Sequence, residues 1–344
     1  MKYQKYLYFL VLGVFSVVVL FVGCSKNDET SGKGETKDKA GIELKLAETH
    51  PNDFPTTLAD KEFAKLVEEK TEGRVKIKVY EGSQLGEEKQ VIEQIQFGGI
   101  DFARVSLSPV AEFSKDLNAL QLPYIYKDSE HMWKVLNGPI GEKMLDSLSE
   151  KNILGLCYYD GGARSFYNTK KEIKSLDDLK GMKFRVMESS LMVGMVESLG
   201  AIAQPMDYGE VYSALKTGVI DGAENNFPSY ISSNHYEVAK YYTIDAHSRV
   251  PELLIASTNS LKNNNVSDED ITLIKEAAKE SVDYQKVQWE KTSNESKEKA
   301  EKAGCTITEL DSKELSKFQE SVQSLYEKEG KDFMDIIKEI QDTK

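Results

Sequence analysis

Ile42-Glu43-Leu44-Lys45-Leu46 and Val75-Lys76-Ile77-Lys78-Val79 decide the fold class. Each stretch alternates apolar and charged side chains, and a period of two sets one face of a strand on a core and the other in water. Between them Leu58, Phe63, Leu66 and Val67 recur at helical spacing, and Gly73 ends the run. Val91, Ile92 and Ile95 mark another helix closed by Gly98-Gly99, and a short strand at 101–105 follows. Strand, helix and strand in that order imply α/β units with mostly parallel sheets.

The same order recurs downstream. Residues 153–159 and 183–187 read as strands, while 190–199 and 208–217 read as helices ended by Gly200 and Gly218. The sequence therefore predicts two α/β lobes joined by more than one crossing, an arrangement that leaves a cleft between them. Residues 42–161 with 251–291 form the first lobe of this reading, and 162–250 with 292–344 the second. In the C-terminal third, Ser267-Asp268-Glu269-Asp270 resembles a capping box with Asp in place of Glu. Helical residues continue to Ala303, where Gly304 stops them; such a helix is about 50 Å long. It reads as a strut spanning both lobes, with two helices broken by a kink as the alternative. Residues 312–340 supply further helices, expected on the second lobe.

Residues 1–23 read as a targeting segment. Lys2 and Lys5 form a basic start, the stretch from Tyr6 to Val22 is apolar apart from Ser16, and Gly23 is a small residue at the cleavage point. An uncleaved membrane anchor is the alternative. Phe21-Val22-Gly23-Cys24 resembles the bacterial lipobox, with Phe21 where Leu is usual, so Cys24 is the expected lipidated residue of a lipoprotein signal peptide. Residues 24–41 are polar and have no apolar face, which predicts a flexible tether.

The remaining 300 or so residues are enough for two lobes with proper cores. Without Lys2 and Lys5, 42 basic residues stand against 57 acidic ones, an excess that argues against nucleic acid as a partner. Cys157 and Cys305 each lie in an apolar-alternating segment and read as buried free thiols, a disulfide between them being the alternative.

Catalytic templates are missing from the sequence: it has no HExxH, GxSxG, phosphate-cradling glycine loop or CxxC pair. His50, His131, His235 and His247 do not fall at metal-ligand spacing, so neither metal nor cofactor is expected. Arginine usage is the informative feature. The chain has 39 lysines but only five arginines: Arg74, Arg104, Arg164, Arg185 and Arg249. A guanidinium grips a carboxylate bidentately and stays charged when desolvated, whereas an ammonium does neither well. Arg74 follows Gly73 at a strand start and reads as solvated. Arg185 lies inside the apolar strand Phe184-Arg185-Val186-Met187, where an unpaired charge is costly. It requires either an acidic side chain or a ligand anion. Arg164 follows Gly161-Gly162-Ala163 and is either an exposed hinge residue or a ligand contact. The stretch Asp221-Gly222-Ala223-Glu224-Asn225-Asn226-Phe227-Pro228 reads as a loop offering amide donors and acceptors, or as a plain surface turn.

These segments together resemble the solute-binding proteins of tripartite ATP-independent periplasmic (TRAP) transporters, the DctP-like family. The resemblance runs from Ile42 to the C-terminus. It rests on Ser83-Gln84-Leu85-Gly86-Glu87-Glu88, Leu122-Pro123-Tyr124 and Gly162-Ala163-Arg164, then on Asp178-Leu179-Lys180-Gly181-Met182-Lys183-Phe184-Arg185-Val186, Glu210-Val211-Tyr212-Ser213-Ala214-Leu215 and Val219-Ile220-Asp221-Gly222-Ala223-Glu224-Asn225. It implies a two-lobed periplasmic-binding-protein-like fold, not an enzyme, whose Arg185 forms the main salt bridge to a ligand carboxylate. It further implies that Arg164 assists, that Asn225 hydrogen-bonds the ligand, and that Tyr208, Glu88 and the Glu48-Thr49-His50 segment line the pocket. Arg104 and Ser106 fall where members vary with ligand class. The spellings Gly-Ala-Arg-Ser-Phe-Tyr and Glu-Asn-Asn-x-Pro-Ser-Tyr look most like members that carry sugar acids such as uronates. C4-dicarboxylate binding and a sensory periplasmic role are the alternatives. The resemblance also implies a monomer held at the membrane by its lipid, delivering its ligand to a small and a large membrane subunit.

Overall fold

The two alternating stretches pair with each other in the computed structural model, which describes residues 41–344. The targeting segment, Cys24 and the tether up to Ala40 lie outside the described residues. Strand β1 (Ile42–Ala47) runs parallel to β2 (Val75–Tyr80), with Leu44 beside Ile77 and Leu46 beside Val79. The connecting helix Pro55–Lys70 lays Phe63, Leu66 and Val67 on that sheet. Next come β3 (Phe102–Ser106) and β4 (Ile153–Tyr159). The chain then crosses into a second sheet through β5 (Ala163–Asn168), β6 (Lys183–Val186), β7 (Ile202–Pro205), β8 (Gly222–Asn225) and β9 (Tyr241–Arg249). It returns as β10 (Glu252–Ser257), and β11 (Thr306–Glu309) completes the second sheet. Strand order is β2-β1-β3-β10-β4 in the first lobe and β11-β9-β5-β8-β6-β7 in the second.

The sheets are mixed rather than mostly parallel. β10 is antiparallel to both β3 and β4, and β5 is antiparallel to β8 and β9. The crossings explain this: β4 ends and β10 begins at the same edge, with Tyr159 and Ser106 both opposite Glu252. A strand entering from the edge where its neighbours end must run against them. That edge is the floor of the cleft, where carboxyl ends of parallel strands commonly carry ligands.

The helix Asp268–Lys302 is unbroken, so the kinked alternative is not realised. Ser267 caps it, accepting from the Asp270 amide at 3.0 Å and donating to the Asp270 carboxylate at 2.8 Å. Ile274, Ala277 and Ala278 join the first-lobe core and Ala300 the second-lobe core, which makes the helix a strut across both. The C-terminal helices depart from expectation. The helices Ser312–Ser321 and Gln323–Lys328 pack on the second lobe, but Met334–Asp342 packs on Pro139–Ser147 of the first. There the Ile340 carbonyl lies 2.9 Å from His131 Nε2. Ile337 and Ile340 form a narrow apolar stripe that needs a partner, and that partner is a first-lobe helix.

Three local readings also change. The segment expected as an asparagine loop is an interior strand: β8 lies between β5 and β6, and Asn226 caps the next helix by accepting from the Ser229 amide at 2.8 Å. Arg74 is only partly solvated, since its guanidinium lies 2.9 Å from Asp270. Cys157 and Cys305 are both free, and Cys305 is half-buried rather than buried, its sulfur accepting from the Tyr230 hydroxyl at 3.2 Å. Among the described residues no helix is long and apolar enough to cross a membrane.

Candidate functional site

A small cavity of about 30 Å³ lies between the lobes, well below the usual 300–1,000 Å³ of small-molecule sites. Thr49, His50, Glu88, Ser106 and Glu252 line it from the first lobe; Arg164, Arg185, Met187, Tyr208, Asn225 and Ser229 line it from the second. Eight of the ten pocket residues expected from the sequence thus meet around one space, and Glu48 and Arg104 do not line it. Its rim is in contact. Lys89 reaches Glu188 at 3.3 Å, and Glu112 accepts from the Ser190 amide and hydroxyl at 2.7 and 3.0 Å. Tyr208 and His50 face each other with ring centres 5.7 Å apart.

The second-lobe wall donates. Arg185 sits on β6 beside Ala223 of β8 and is 4% exposed. Its Nε and Nη2 both donate to the Met206 carbonyl, at 2.9 and 2.8 Å, and the Tyr208 ring lies 5.5 Å from its guanidinium carbon. No carboxylate among the described residues lies within ion-pair distance of it. Burial lowers its pKa and the neighbouring Arg164 acts in the same direction, while the Glu224 carboxylate, beyond ion-pair distance, opposes them. Of the two readings the sequence left open, an acidic side chain is therefore excluded among the described residues.

Arg164 differs. It is buried on β5 rather than exposed at a hinge, and Glu224 neutralises it through Nε–Oε2 at 2.5 Å and Nη2–Oε1 at 2.9 Å. Its Nη1 donates to Asn225 Oδ1 at 2.8 Å, and the Asn226 amide donates to the same oxygen at 2.8 Å. With Oδ1 occupied twice, the Asn225 amide nitrogen is the group left to donate into the cavity. Behind Glu224 stands His247, Nε2 3.3 Å from Glu224 and Nδ1 2.9 Å from Asp245. Burial opposes charge on both groups, yet Arg164 and His247 hold Glu224 at a pKa of about 2, while Asp245 and Glu224 raise His247 to about 9. The buried row thus alternates in sign: Asp245, His247, Glu224, Arg164.

The first-lobe wall accepts. Arg104, expected in the pocket, lies behind it with a fully buried side chain. It donates through Nε to Glu48 at 2.8 Å and through Nη1 to Glu88 at 2.9 Å and to Glu252 at 2.7 Å, and its Nη2 also meets Glu48. Burial disfavours its charge, but the three carboxylates prevail and its pKa is well above the ordinary value. The guanidinium is therefore fully used as an internal counter-ion. Glu252 and Glu224 were missed by sequence reasoning. Glu252 begins a strand at a crossing and Glu224 lies inside β8, and neither stands out by residue type among 57 acidic side chains.

A larger recess, about 500 Å³ and open to solvent, lies on the other face of the same strands. Ala163 and Ser165 point to it while Arg164 points into the cleft, as strand alternation requires. It has apolar walls of Trp133, Phe227, Tyr242 and Trp289, whereas the smaller cavity gathers the buried, converging polar groups that define a ligand site.

Residues 46–332 match the family model of bacterial extracellular solute-binding proteins, family 7 (DctP). A solute-binding protein of Chromohalobacter salexigens is 43% identical over 296 residues, which cover 85% of this chain and 87% of that protein. A crystal structure of a TRAP periplasmic solute-binding protein from a Bradyrhizobium species, in complex with galacturonate, superposes with a TM-score of 0.85 at 41% identity, covering 88% of this chain and all of that one. One from Chromohalobacter salexigens with bound D-glucuronate has a TM-score of 0.84, the same identity and the same coverage.

Proposed function

The chain belongs to the bacterial extracellular solute-binding proteins of family 7, and from that premise we propose that it captures a hexuronate through a salt bridge to Arg185. It is an extracytoplasmic solute-binding protein of a transport system, not an enzyme; its ligands are small carboxylates and its partners are membrane transporter subunits. The uronates bound by the two 41% identical structures support the ligand class. The observation that carries the reading is the buried, unpaired Arg185 in a cavity lined from both lobes.

In this reading the ligand carboxylate takes the free edge of Arg185 and the amide of Asn225, with Tyr208 and His50 closing over the sugar ring. Arg164 aims Asn225 more than it supplies charge, because Glu224 already balances it. Charge-assisted hydrogen bonds contribute about 1.5–3 kcal/mol each, so two of them with several hydroxyl contacts reach micromolar affinity, about −8 kcal/mol. Contacts come from both lobes, so ligand shifts the population toward the closed cleft, the lobes turning about the crossings at Gly161-Gly162 and Val250-Pro251.

Calorimetric titration with D-glucuronate and D-galacturonate tests the reading. Micromolar binding of one of them is expected, weakened about 10- to 100-fold in Arg185→Met; failure of both uronates to bind overturns it. We further infer that a monomer is tethered through lipidated Cys24, and that Cys24→Ala moves the protein from the membrane fraction to the soluble one.

A further inference from the structure

Glu88 and Glu252 are each fixed by one oxygen only. Glu88 Oε1 accepts from Arg104 Nη1 at 2.9 Å and from the Ser106 amide and hydroxyl at 2.9 and 3.1 Å. Glu252 Oε2 accepts from the same Arg104 nitrogen at 2.7 Å. Their other oxygens, Glu88 Oε2 and Glu252 Oε1, accept no hydrogen bond from any described residue, although both side chains line the cavity. Gly161 leaves room beside Glu252 Oε1, since a Cβ there would lie 3.3 Å from it.

The charge on this wall does not balance. Glu48, Glu88 and Glu252 share the single guanidinium of Arg104. His50 meets Glu48 Oε1 through its backbone N–H at 2.7 Å and its Nδ1 at 3.0 Å, and the same Nδ1 lies 2.8 Å from Arg104 Nη2. Three carboxylates thus face one guanidinium. Across the cavity Arg185 has no carboxylate partner. One end of the space therefore calls for an anion, and the other for hydrogen-bond donors without negative charge.

We propose that Glu252, with Glu88, is the specificity determinant that admits a sugar mono-acid, reading its hydroxyls with the two free carboxylate oxygens, and rejects diacids of the same length. The proposal rests on the uronate reading and deepens it by assigning the far end of the ligand. A hydroxyl donates to a fixed carboxylate as a strong, charge-assisted hydrogen bond. A second ligand carboxylate would meet the same oxygens as a like charge in a desolvated site, which costs several kcal/mol. The crowding is already felt within the protein: burial raises the pKa of Glu88, and Glu252 beside it acts in the same direction.

Calorimetry on the full mature protein tests this with D-galacturonate and with galactarate, which carries a carboxylate at each end of the same carbon chain. Wild type is expected to bind galactarate at least ~100-fold more weakly than galacturonate. Glu252→Gln, which keeps the shape and removes the charge, should narrow that ratio at least ~10-fold, mainly through tighter galactarate binding. Glu88→Gln is the second variant, should Glu252→Gln fail to fold, and should act in the same direction. Equal wild-type affinity for the two acids overturns the proposal, as does an equal loss for both acids in either variant. Binding of neither acid counts against the uronate reading itself, whereas galacturonate binding without discrimination leaves that reading intact and removes only the role of Glu252 and Glu88.

Discussion

Arg164 and Glu224 face each other from adjacent strands with two nitrogen–oxygen contacts at 2.5 and 2.9 Å. One strand further on, Arg185 is equally buried but shares its N–H groups with a backbone carbonyl alone. The two arginines thus have opposite effects on the empty protein. Arg164 completes an internal ion pair, whereas Arg185 is a desolvated charge waiting for a counter-ion.

This asymmetry predicts opposite stability changes. Arg164→Met leaves the buried Glu224 and Asp245 with His247 alone between them and should lower unfolding stability by about 3 kcal/mol. Arg185→Met removes an uncompensated charge and should leave the ligand-free protein as stable as wild type, or more so. Urea titration of both variants without ligand decides it. A loss at Arg185 as large as that at Arg164 would make Arg185 a structural residue.

With ligand present the order reverses. A hexuronate should raise the melting temperature of wild type by mass action and have little effect on Arg185→Met. The affinity of that variant should fall about 10- to 100-fold, in line with the loss of a charge-assisted hydrogen bond. Thermal shift across a ligand series, with calorimetry at one temperature, measures both.

What the sequence disclosed follows from the range of the interaction that fixes each feature. Alternation in β1 and β2 and the glycine stops are local, so they could be read directly. Arginine scarcity worked because a buried guanidinium is costly wherever it lies, and it marked Arg164 and Arg185 before any partner was known. The role of Arg104 was not legible: its counter-ions come from positions 48, 88 and 252, and only the fold brings them together. Glu224-Asn225-Asn226 read as a loop because consecutive asparagines precede an aromatic and a proline; pairing of Glu224 and Asn225 with β5, in a strand that β6 also holds at Gly222 and Ala223, makes its first two residues part of a strand regardless. The first-lobe docking of the last helix was hidden for the same reason, since an amphipathic stripe does not name the surface it covers.

The row Asp245, His247, Glu224, Arg164 predicts a defined pH dependence. His247 is raised to about 9 from an ordinary 6.5, so its stabilisation is complete below pH 6.5 and is lost as pH rises through about 9. Glu224 is lowered to about 2 from 4.5, so its contribution is present above pH 4.5 and is lost as pH falls toward 2. Between pH 6.5 and 9.5 wild type should lose roughly 2–4 kcal/mol from this row. His247→Gln should be less stable at pH 6.5 but show a flatter alkaline limb. Parallel limbs in urea titrations at several pH values would show that His247 does not carry the effect.

The crossing into the second lobe makes its own prediction. Gly162 has φ +64°, and a Cβ there would lie 2.8 Å from Trp289 Cζ2 on the long strut helix. Trp289 is nearly buried and meets Phe54 edge-on at 6.0 Å, so it has little freedom to retreat. Gly162→Ala should cost about 1–2 kcal/mol for the left-handed backbone alone, and more for displacing the indole. In a Trp289→Leu background the displacement part should disappear, leaving a coupling of about 1 kcal/mol between the two sites. Gly161→Ala is harsher, because its Cβ would lie 2.4 Å from the Val250 carbonyl of the opposite crossing. Neither backbone can yield without spreading the crossings apart, and the lobes are joined there, so Gly161→Ala should weaken uronate binding along with stability. A destabilised Gly161→Ala protein with wild-type affinity at low temperature would show that the spacing of the crossings does not set the closed cleft.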